Sequence, residues 1–235
     1  MSDEFDAFMA LYSGLPREGP GTVDSLLNVL EIADPPPLGR VLDAACGSGA
    51  DSATLRRALP NVELIGLDKQ ATFINAAKAR GIAADFQVGD MLWPEGEFDL
   101  IWCAGAVYFF GVETVLDAWR SHLRPQGKIA FSEVVWLGQP SPAAKAFWAE
   151  AYPHMSSQNG LAARIEASGY RVLSAEPLGR AGWADYYAAL RKNIARLQGH
   201  SAVIDEVIAE TEAEIAVFDS DFGCYDYVVY LTEPL

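Results

Sequence analysis

Cysteine and histidine are scarce in this sequence. Three cysteines, Cys46, Cys103 and Cys224, stand far apart among 235 residues. A sparse, odd set of this kind is neither a disulfide framework nor a zinc site, so it predicts a reducing, cytoplasmic setting. The three histidines are also far apart and have no metal-ligand spacing, and we therefore expect no metal.

Positive charge and long apolar runs are in short supply too. Lysine and arginine total 17 against 32 aspartates and glutamates, which gives a net charge of −15. Such a surface repels phosphate backbones and acidic lipids, so neither a nucleic acid nor a membrane is the expected partner. No run approaches the roughly 18 apolar residues of a membrane span. The acidic start of the chain also lacks the basic and apolar segments of a signal peptide.

Short apolar runs alternate with helical patterns from Arg40 onward. Strand-like runs occupy residues 40–46, 62–68, 83–90, 98–104 and 127–136. Strands that alternate with helices predict right-handed crossovers and a parallel sheet covered on both faces. After an interruption, the pattern resumes with a strand at 170–176 and ends with another at 224–233.

The strongest chemical signal is the segment VLDAACGSG at 41–49. A buried strand carries Asp43 near its end, and a turn of small residues follows. The turn consists of Ala45, Cys46, Gly47, Ser48 and Gly49. Small residues let the backbone approach a ligand closely, and the next helix begins with free N–H groups that can meet a polar one.

Two further acidic residues end the next two strands. Asp68 comes 19 residues after Gly49, the spacing at which a carboxylate reaches a ribose diol in a nucleotide-binding fold. Asp90 ends the third strand at the same edge of the sheet, where it can accept from an adenine amino group while Met91 lies against the ring. We assign their neighbours Lys69 and Gly89 to the same site.

The order of these motifs resembles that of the class I S-adenosylmethionine-dependent methyltransferases. The resemblance covers roughly 40–135 and includes VLDAACGSG, LIGLD, VGDM, FDLIWCAGAVY and LRPQGKIAFSE. It implies an α/β three-layer sandwich with a seven-stranded sheet of order 3-2-1-4-5-7-6, whose last strand is antiparallel. Ala45 departs from the family, which often has a glycine there. LPREGPG, FWAEAYPHM, GWADYY and the last strand also resemble a narrower bacterial group assumed to act on small molecules.

The resemblance also implies an organisation and several roles. We expect one methyltransferase domain over 1–235, with cap helices at 1–33, a cofactor-binding core at 40–135, a substrate lid at 136–160 and the rest of the fold at 161–235. The loop with Arg17 and Gly19 is expected to close over the methionine end of S-adenosylmethionine. The residues expected to line its sulfonium are Ala104, Gly105 and Ala106.

Candidate acceptor-site residues follow the fifth strand. Glu133, at the end of that strand, is the first candidate for orienting the acceptor or taking its proton, and His154 is the second. Tyr108 is a third polar candidate. The aromatic residues expected in a substrate lid are Trp136, Tyr152, Trp183 and Tyr187, with core packing as their alternative role.

Other functions remain open at this point. A dehydrogenase is disfavoured because Ser52 stands where the dinucleotide fingerprint needs a glycine. A protein or RNA methyltransferase and a non-catalytic module that binds S-adenosylmethionine or S-adenosylhomocysteine are the alternatives to small-molecule methylation. The acceptor, the atom methylated and a homodimer are left open.

Overall fold

Seven strands form one mixed sheet in the computed structural model, which describes residues 3–235. The strands are β1 (Arg40–Ala44), β2 (Glu63–Asp68), β3 (Asp85–Val88), β4 (Phe98–Cys103), β5 (Leu123–Trp136), β6 (Tyr170–Pro177) and β7 (Tyr225–Pro234). Their order is β3-β2-β1-β4-β5-β7-β6, and β7 runs antiparallel to both of its neighbours. The predicted strand order and the antiparallel last strand are confirmed. Met1 and Ser2, which belong to the predicted cap, lie outside the described residues.

Helices connect and cover these strands. They are α1 (Asp3–Tyr12), α2 (Val23–Ala33), α3 (Ala50–Ala58), α4 (Ala71–Ala79), α5 (Val112–Arg120), α6 (Pro142–Ala151), α7 (Gln158–Ala167), α8 (Gly179–Leu197) and α9 (Ala202–Asp221). The Thr22 hydroxyl accepts from the Ser25 N–H at 2.9 Å and caps α2. None of the helices between residues 3 and 235 has the length and apolar character that crossing a membrane requires.

Apolar residues on both faces of the sheet pack against helices. On one face, α2 and α3 bury Leu26 and Leu55 against β1, β2 and β4. On the other face, α5 and α7 bury Leu116 and Ile165 against the remaining side of the same strands. Because both faces are covered, the central strands are apolar at nearly every position, which explains their continuous rather than alternating pattern.

The strands β5 and β7 extend beyond the rest of the sheet. The pairing of β4 with β5 ends at Cys103 and Phe131, whereas β5 and β7 remain paired as far as Trp136 and Tyr225. A two-stranded ribbon is marginally stable alone and needs something packed against it. Here α1, α6, α8 and α9 supply a largely aromatic cluster that covers the ribbon. The ribbon therefore positions these helices next to the carboxyl edge of the sheet.

Asp226 on β7 anchors α8 to this ribbon. Its buried carboxylate accepts from the Trp183 indole N–H at 2.6 Å and from the Gly179 N–H at 2.7 Å. We expect Asp226→Ala to lower the free energy of unfolding by about 2–4 kcal/mol, because two buried donors lose their acceptor. Urea unfolding followed by tryptophan fluorescence measures this loss. Asp219→Ala, the control, removes an exposed ion pair with Arg191 and should lower the free energy of unfolding by under ~1 kcal/mol. Equal losses of stability in the two variants would contradict the anchoring role of Asp226.

Candidate active site

The turn between β1 and α3 brings the backbone to the carboxyl edge of the sheet. Ala45, Gly47 and Gly49 have positive φ angles of 54°, 53° and 84°. A side chain disfavours this left-handed region by roughly 1–2 kcal/mol per residue, which explains why related turns prefer glycine where this chain has Ala45. The Cys46 N–H donates to the Leu67 carbonyl at 3.0 Å and ties the turn to β2.

Acidic side chains at or after the ends of three strands line a cavity at this edge. They are Asp43, Asp68 and Asp90, from β1, β2 and the turn after β3. Asp43 is buried and accepts from the Ser52 hydroxyl at 2.5 Å. Burial raises the pKa of both Asp43 and Asp68, and the charge of Asp51 raises that of Asp43 further. Among residues 3–235, no group of three or more His, Cys, Asp or Glu could hold a metal.

Asp68 is held in a way that leaves room for more hydrogen bonds. Its Oδ2 accepts from the Gly47 N–H at 2.9 Å and its Oδ1 from the Gln70 N–H at 2.8 Å. A carboxylate has about four acceptor positions, so each oxygen still has a lone pair available. This arrangement fits the ribose diol of S-adenosylmethionine, the role predicted for Asp68.

Small residues after β4 leave open space in the same cavity. Ala104, Gly105 and Ala106 all line it. Gly105 has a φ of 66°, and a Cβ built there would meet no heavy atom within 4 Å. Its N–H donates to the Ser132 hydroxyl at 2.8 Å, which fixes the turn. The space is compatible with a sulfonium and its methyl group, the role that the family resemblance implies, and that role stays a prediction.

Arg17 and Gly19 also line the cavity, on the loop before α2. The Arg17 guanidinium makes a bidentate ion pair with Asp51, which also accepts from the Trp102 indole N–H at 3.0 Å. Arg17 therefore already has a carboxylate partner. A pairing with the cofactor's carboxylate, which remains a prediction, must use the N–H groups that are left.

Glu18, on the same loop, was missed by sequence reasoning. Its Oε2 accepts from the Ser48 N–H at 3.1 Å, at the turn before α3, and a Cβ at Gly47 would collide with this carboxylate. Burial raises the pKa of Glu18. The contact spans 30 residues of sequence, and no local pattern distinguishes Glu18 from a solvated loop carboxylate.

The remaining cofactor-site predictions divide into two groups. Cys46, Lys69 and Met91 line the cavity. Ser48, Gly49 and Gly89 do not line it, and their contact with the cofactor stays a prediction. Ser48 and Gly49 lie within the turn itself, and Gly89 is needed because a Cβ there would stand 2.7 Å from a methyl group of Leu67.

The cavity extends from this edge into the aromatic cluster. We call this part the aromatic chamber; its lining includes Tyr12, Tyr108, Trp148, Tyr152, Tyr186 and Tyr227. The whole cavity has a volume of about 700 Å³, within the range of about 300–1,000 Å³ that small-molecule sites occupy. Tyr108 and Tyr152 were predicted here, and Trp183 also lines the cavity.

Four predicted acceptor-site residues do not line the cavity, and their roles stay predictions. Trp136 packs edge-on against Tyr225, and the fully buried Tyr187 lies behind the chamber wall. His154 is exposed, because the chain turns outward after Tyr152 before the Ser156 carbonyl rejoins β5. The fourth residue is Glu133.

Glu133 does not line the cavity, although it lies on the predicted strand. Successive residues of a strand point to opposite faces, and it is Val134 that faces the cavity. Glu133 pairs with Val228, which packs on the face covered by α5 and α7. The Tyr152 side chain is close enough to the Glu133 carboxylate to influence its pKa, although Oε2 of Glu133 is buried without a hydrogen-bond partner and Oε1 accepts from the Val134 N–H at 3.2 Å. Burial raises the pKa of Glu133 to about 8.

Glu214 on α9 lines the aromatic chamber and was not predicted. Its Oε1 accepts from the Tyr187 hydroxyl at 2.6 Å, so the two residues connect α9 and α8. Burial raises the pKa of Glu214. The chamber thus combines aromatic faces with one carboxylate.

Comparison with known proteins identifies the matched region. Residues 41–127 match the sequence model of a family described as a methyltransferase domain. The chain is 33% identical over 97 residues to the trans-aconitate 2-methyltransferase of Deinococcus radiodurans, over 40% of this chain and 37% of that protein. It is 31% identical over 132 residues to the ribosomal RNA small subunit methyltransferase C of Erwinia tasmaniensis, over 51% of this chain and 38% of that one. The chain spans less than half the length of these curated relatives.

A solved structure resembles nearly the whole chain. It is a SAM-dependent methyltransferase from Geobacter sulfurreducens in complex with S-adenosyl-L-homocysteine. The TM-score is 0.84, the identity is 25%, and the match covers 98% of each chain. The likeness therefore includes the helices that form the aromatic chamber, not the sheet alone.

Proposed function

We propose that this chain, a class I S-adenosylmethionine-dependent methyltransferase by its matched domain and fold, methylates a small molecule. Its cofactor is S-adenosylmethionine. The observation that carries the proposal is the continuity of one cavity, which joins the acidic edge of the sheet to the aromatic chamber. A donor at the edge and an acceptor in the chamber would meet at Gly105, where the backbone leaves open space.

The place of each residue in the cavity determines the role that we assign to it. Bound S-adenosylmethionine supplies a methyl group whose carbon bonds to the acceptor's lone pair while the carbon–sulfur bond breaks and its electrons return to sulfur. We assign the ribose to Asp68, the adenine to Asp90 and Met91, and the methionine end to the loop with Arg17. The chamber orients the acceptor and excludes water, and positioning of this kind supplies a large part of the acceleration.

A small acceptor is favoured over RNA by charge and shape. The chain carries a net charge of −15, and the cations of the cavity wall are Arg17 and Lys69. An RNA substrate needs a basic path for its phosphates. The likeness to a ribosomal RNA methyltransferase covers 51% of this chain and 38% of that protein, so it extends to only part of either.

Proton removal from the acceptor is assigned to Tyr152 and Glu133 together. Tyr152 lines the cavity, and its side chain is close enough to the Glu133 carboxylate behind it to influence the pKa of that carboxylate. A proton that leaves the acceptor would pass to the tyrosine oxygen as the tyrosine proton passes to the carboxylate. Glu133 in this scheme accepts the proton without touching the acceptor.

Two measurements on the purified chain test the function. We expect calorimetry to show binding of S-adenosylhomocysteine, and we expect this ligand to raise the melting temperature by mass action. We also expect transfer of label from S-[methyl-³H]adenosylmethionine to members of a small-molecule panel of alcohols, acids, thiols and amines.

The outcomes separate the alternatives. Binding without transfer to any acceptor would favour a non-catalytic module, and transfer to RNA in place of small molecules would overturn the substrate class. Absence of binding would overturn the cofactor site. The single-domain organisation, the cytoplasmic location and a homodimer stay predictions.

A further inference from the structure

We infer that the acceptor carries a cationic amine and that Glu214 binds its ammonium group within the aromatic chamber. The inference rests on the proposed function and adds the chemical class of the acceptor. It comes mainly from residues of α1, α6, α8, α9 and the β5–β7 ribbon, outside the motifs of the cofactor site, together with Tyr108 after β4.

No cation from residues 3–235 forms an ion pair with the carboxylate of Glu214. Its Oε1 accepts from the Tyr187 hydroxyl. Among the same residues, no hydrogen bond involves its Oε2. Burial raises the pKa of Glu214, with only the Tyr187 hydrogen bond opposing it. A buried charge without a partner is costly, and a bound cation removes that cost.

The rings around Glu214 suit a cation as well. Its charge contributes to the raised pKa values of Tyr12, Tyr108, Tyr186 and Tyr227, which line the same cavity, so all four are within its electrostatic reach. Aromatic faces attract ammonium groups, most strongly where water is excluded. A carboxylate together with several tyrosine rings therefore favours an amine over a neutral acceptor.

An anionic acceptor is disfavoured by the same geometry. The cations that line the cavity are Arg17 and Lys69. Arg17 is paired with Asp51, and Lys69 follows directly after Asp68, so both lie on the cofactor side. A carboxylate or phosphate placed in the chamber would meet Glu214 without a compensating cation. The chamber therefore disfavours anionic acceptors.

Binding of matched probes to protein saturated with S-adenosylhomocysteine tests this inference. Choline and ethanolamine are the cationic probes, and 3,3-dimethylbutan-1-ol and propan-1-ol are their neutral isosteres. We expect at least one cationic probe to bind the wild type about tenfold or more tightly than its isostere. In Glu214→Gln the amide oxygen can still accept from Tyr187, and we expect the preference to fall by about 10- to 100-fold. Glu210→Gln, exposed one turn earlier on α9, should keep it.

The design separates two kinds of failure. If S-adenosylhomocysteine does not bind, the proposed function fails. If it binds and the cationic probes show no preference, or if Glu214→Gln keeps the preference, the amine inference alone is overturned. A melting temperature for each variant with and without S-adenosylhomocysteine shows that the cofactor side is intact.

Discussion

Asp68→Ala is expected to weaken S-adenosylhomocysteine binding by about 100- to 10,000-fold. Hydrogen bonds to a charged group contribute roughly 1.5–3 kcal/mol each, and two ribose hydroxyls would lose such an acceptor. Each ~1.4 kcal/mol corresponds to a tenfold change in affinity. The alanine also frees the N–H groups of Gly47 and Gln70, which Asp68 holds at 2.9 and 2.8 Å. The loss therefore combines a missing ligand contact with a looser turn.

Asp68→Asn separates these two contributions. The amide keeps one carbonyl oxygen, and its NH₂ group cannot accept from a hydroxyl, so we expect a loss smaller than that of alanine. Asp85→Ala, an exposed carboxylate at the start of β3, is the matched control and should leave affinity unchanged. Calorimetry with S-adenosylhomocysteine gives all four affinities. Wild-type affinity in Asp68→Ala would show that Asp68 does not hold the ribose.

The cofactor side of the cavity could be predicted because its residues stand at fixed places along the chain. Asp43, Asp68 and Asp90 all lie at or just after the ends of parallel strands. Carboxyl ends of parallel strands meet at one edge, so three local patterns are sufficient to place them together. The positive φ of Ala45 shows that the turn geometry persists without the usual glycine.

The acceptor side could not be predicted in the same way. Glu214 lies on α9 in the run EVIAETEAEIAVFDSD, where several carboxylates recur within a few turns. Which of them faces inward depends on how α9 packs against α1 and α8, and no local pattern records that. Tyr12 reaches the same chamber from the other end of the chain.

Glu133 shows a different limit of sequence reasoning. The strand and its end were predicted, but the segment SEVVW is buried at nearly every position. A strand covered on both faces has no polar alternation to show which residues point to which side. A one-residue difference therefore places Val134 in the cavity and Glu133 behind it.

Glu133→Gln is expected to lower turnover by about 10²–10⁴-fold if the carboxylate takes the acceptor's proton, the range that general-base catalysis supplies. The glutamine keeps the shape of the side chain, and Glu133 does not line the cavity, so S-adenosylhomocysteine affinity should stay near that of the wild type. Glu150→Gln, an exposed carboxylate on α6, is the control and should keep full turnover.

The pH dependence distinguishes this role from a structural one. Only the carboxylate form accepts a proton, and burial raises the pKa of Glu133 to about 8. Wild-type turnover with the labelled donor should therefore rise with pH until about pH 8, and Glu133→Gln should lack that rise.

The stability of the fold should also depend on the protonation of Glu133. Because its pKa is higher in the folded state, protonated Glu133 stabilises the fold. This contribution is complete below about pH 4.3, the pKa of an unfolded glutamate, and is lost as pH rises through about 8. We thus expect Glu133→Gln to be more stable than the wild type at pH 9. If Glu133→Gln keeps both the turnover of the wild type and its dependence on pH, Glu133 has no part in the mechanism.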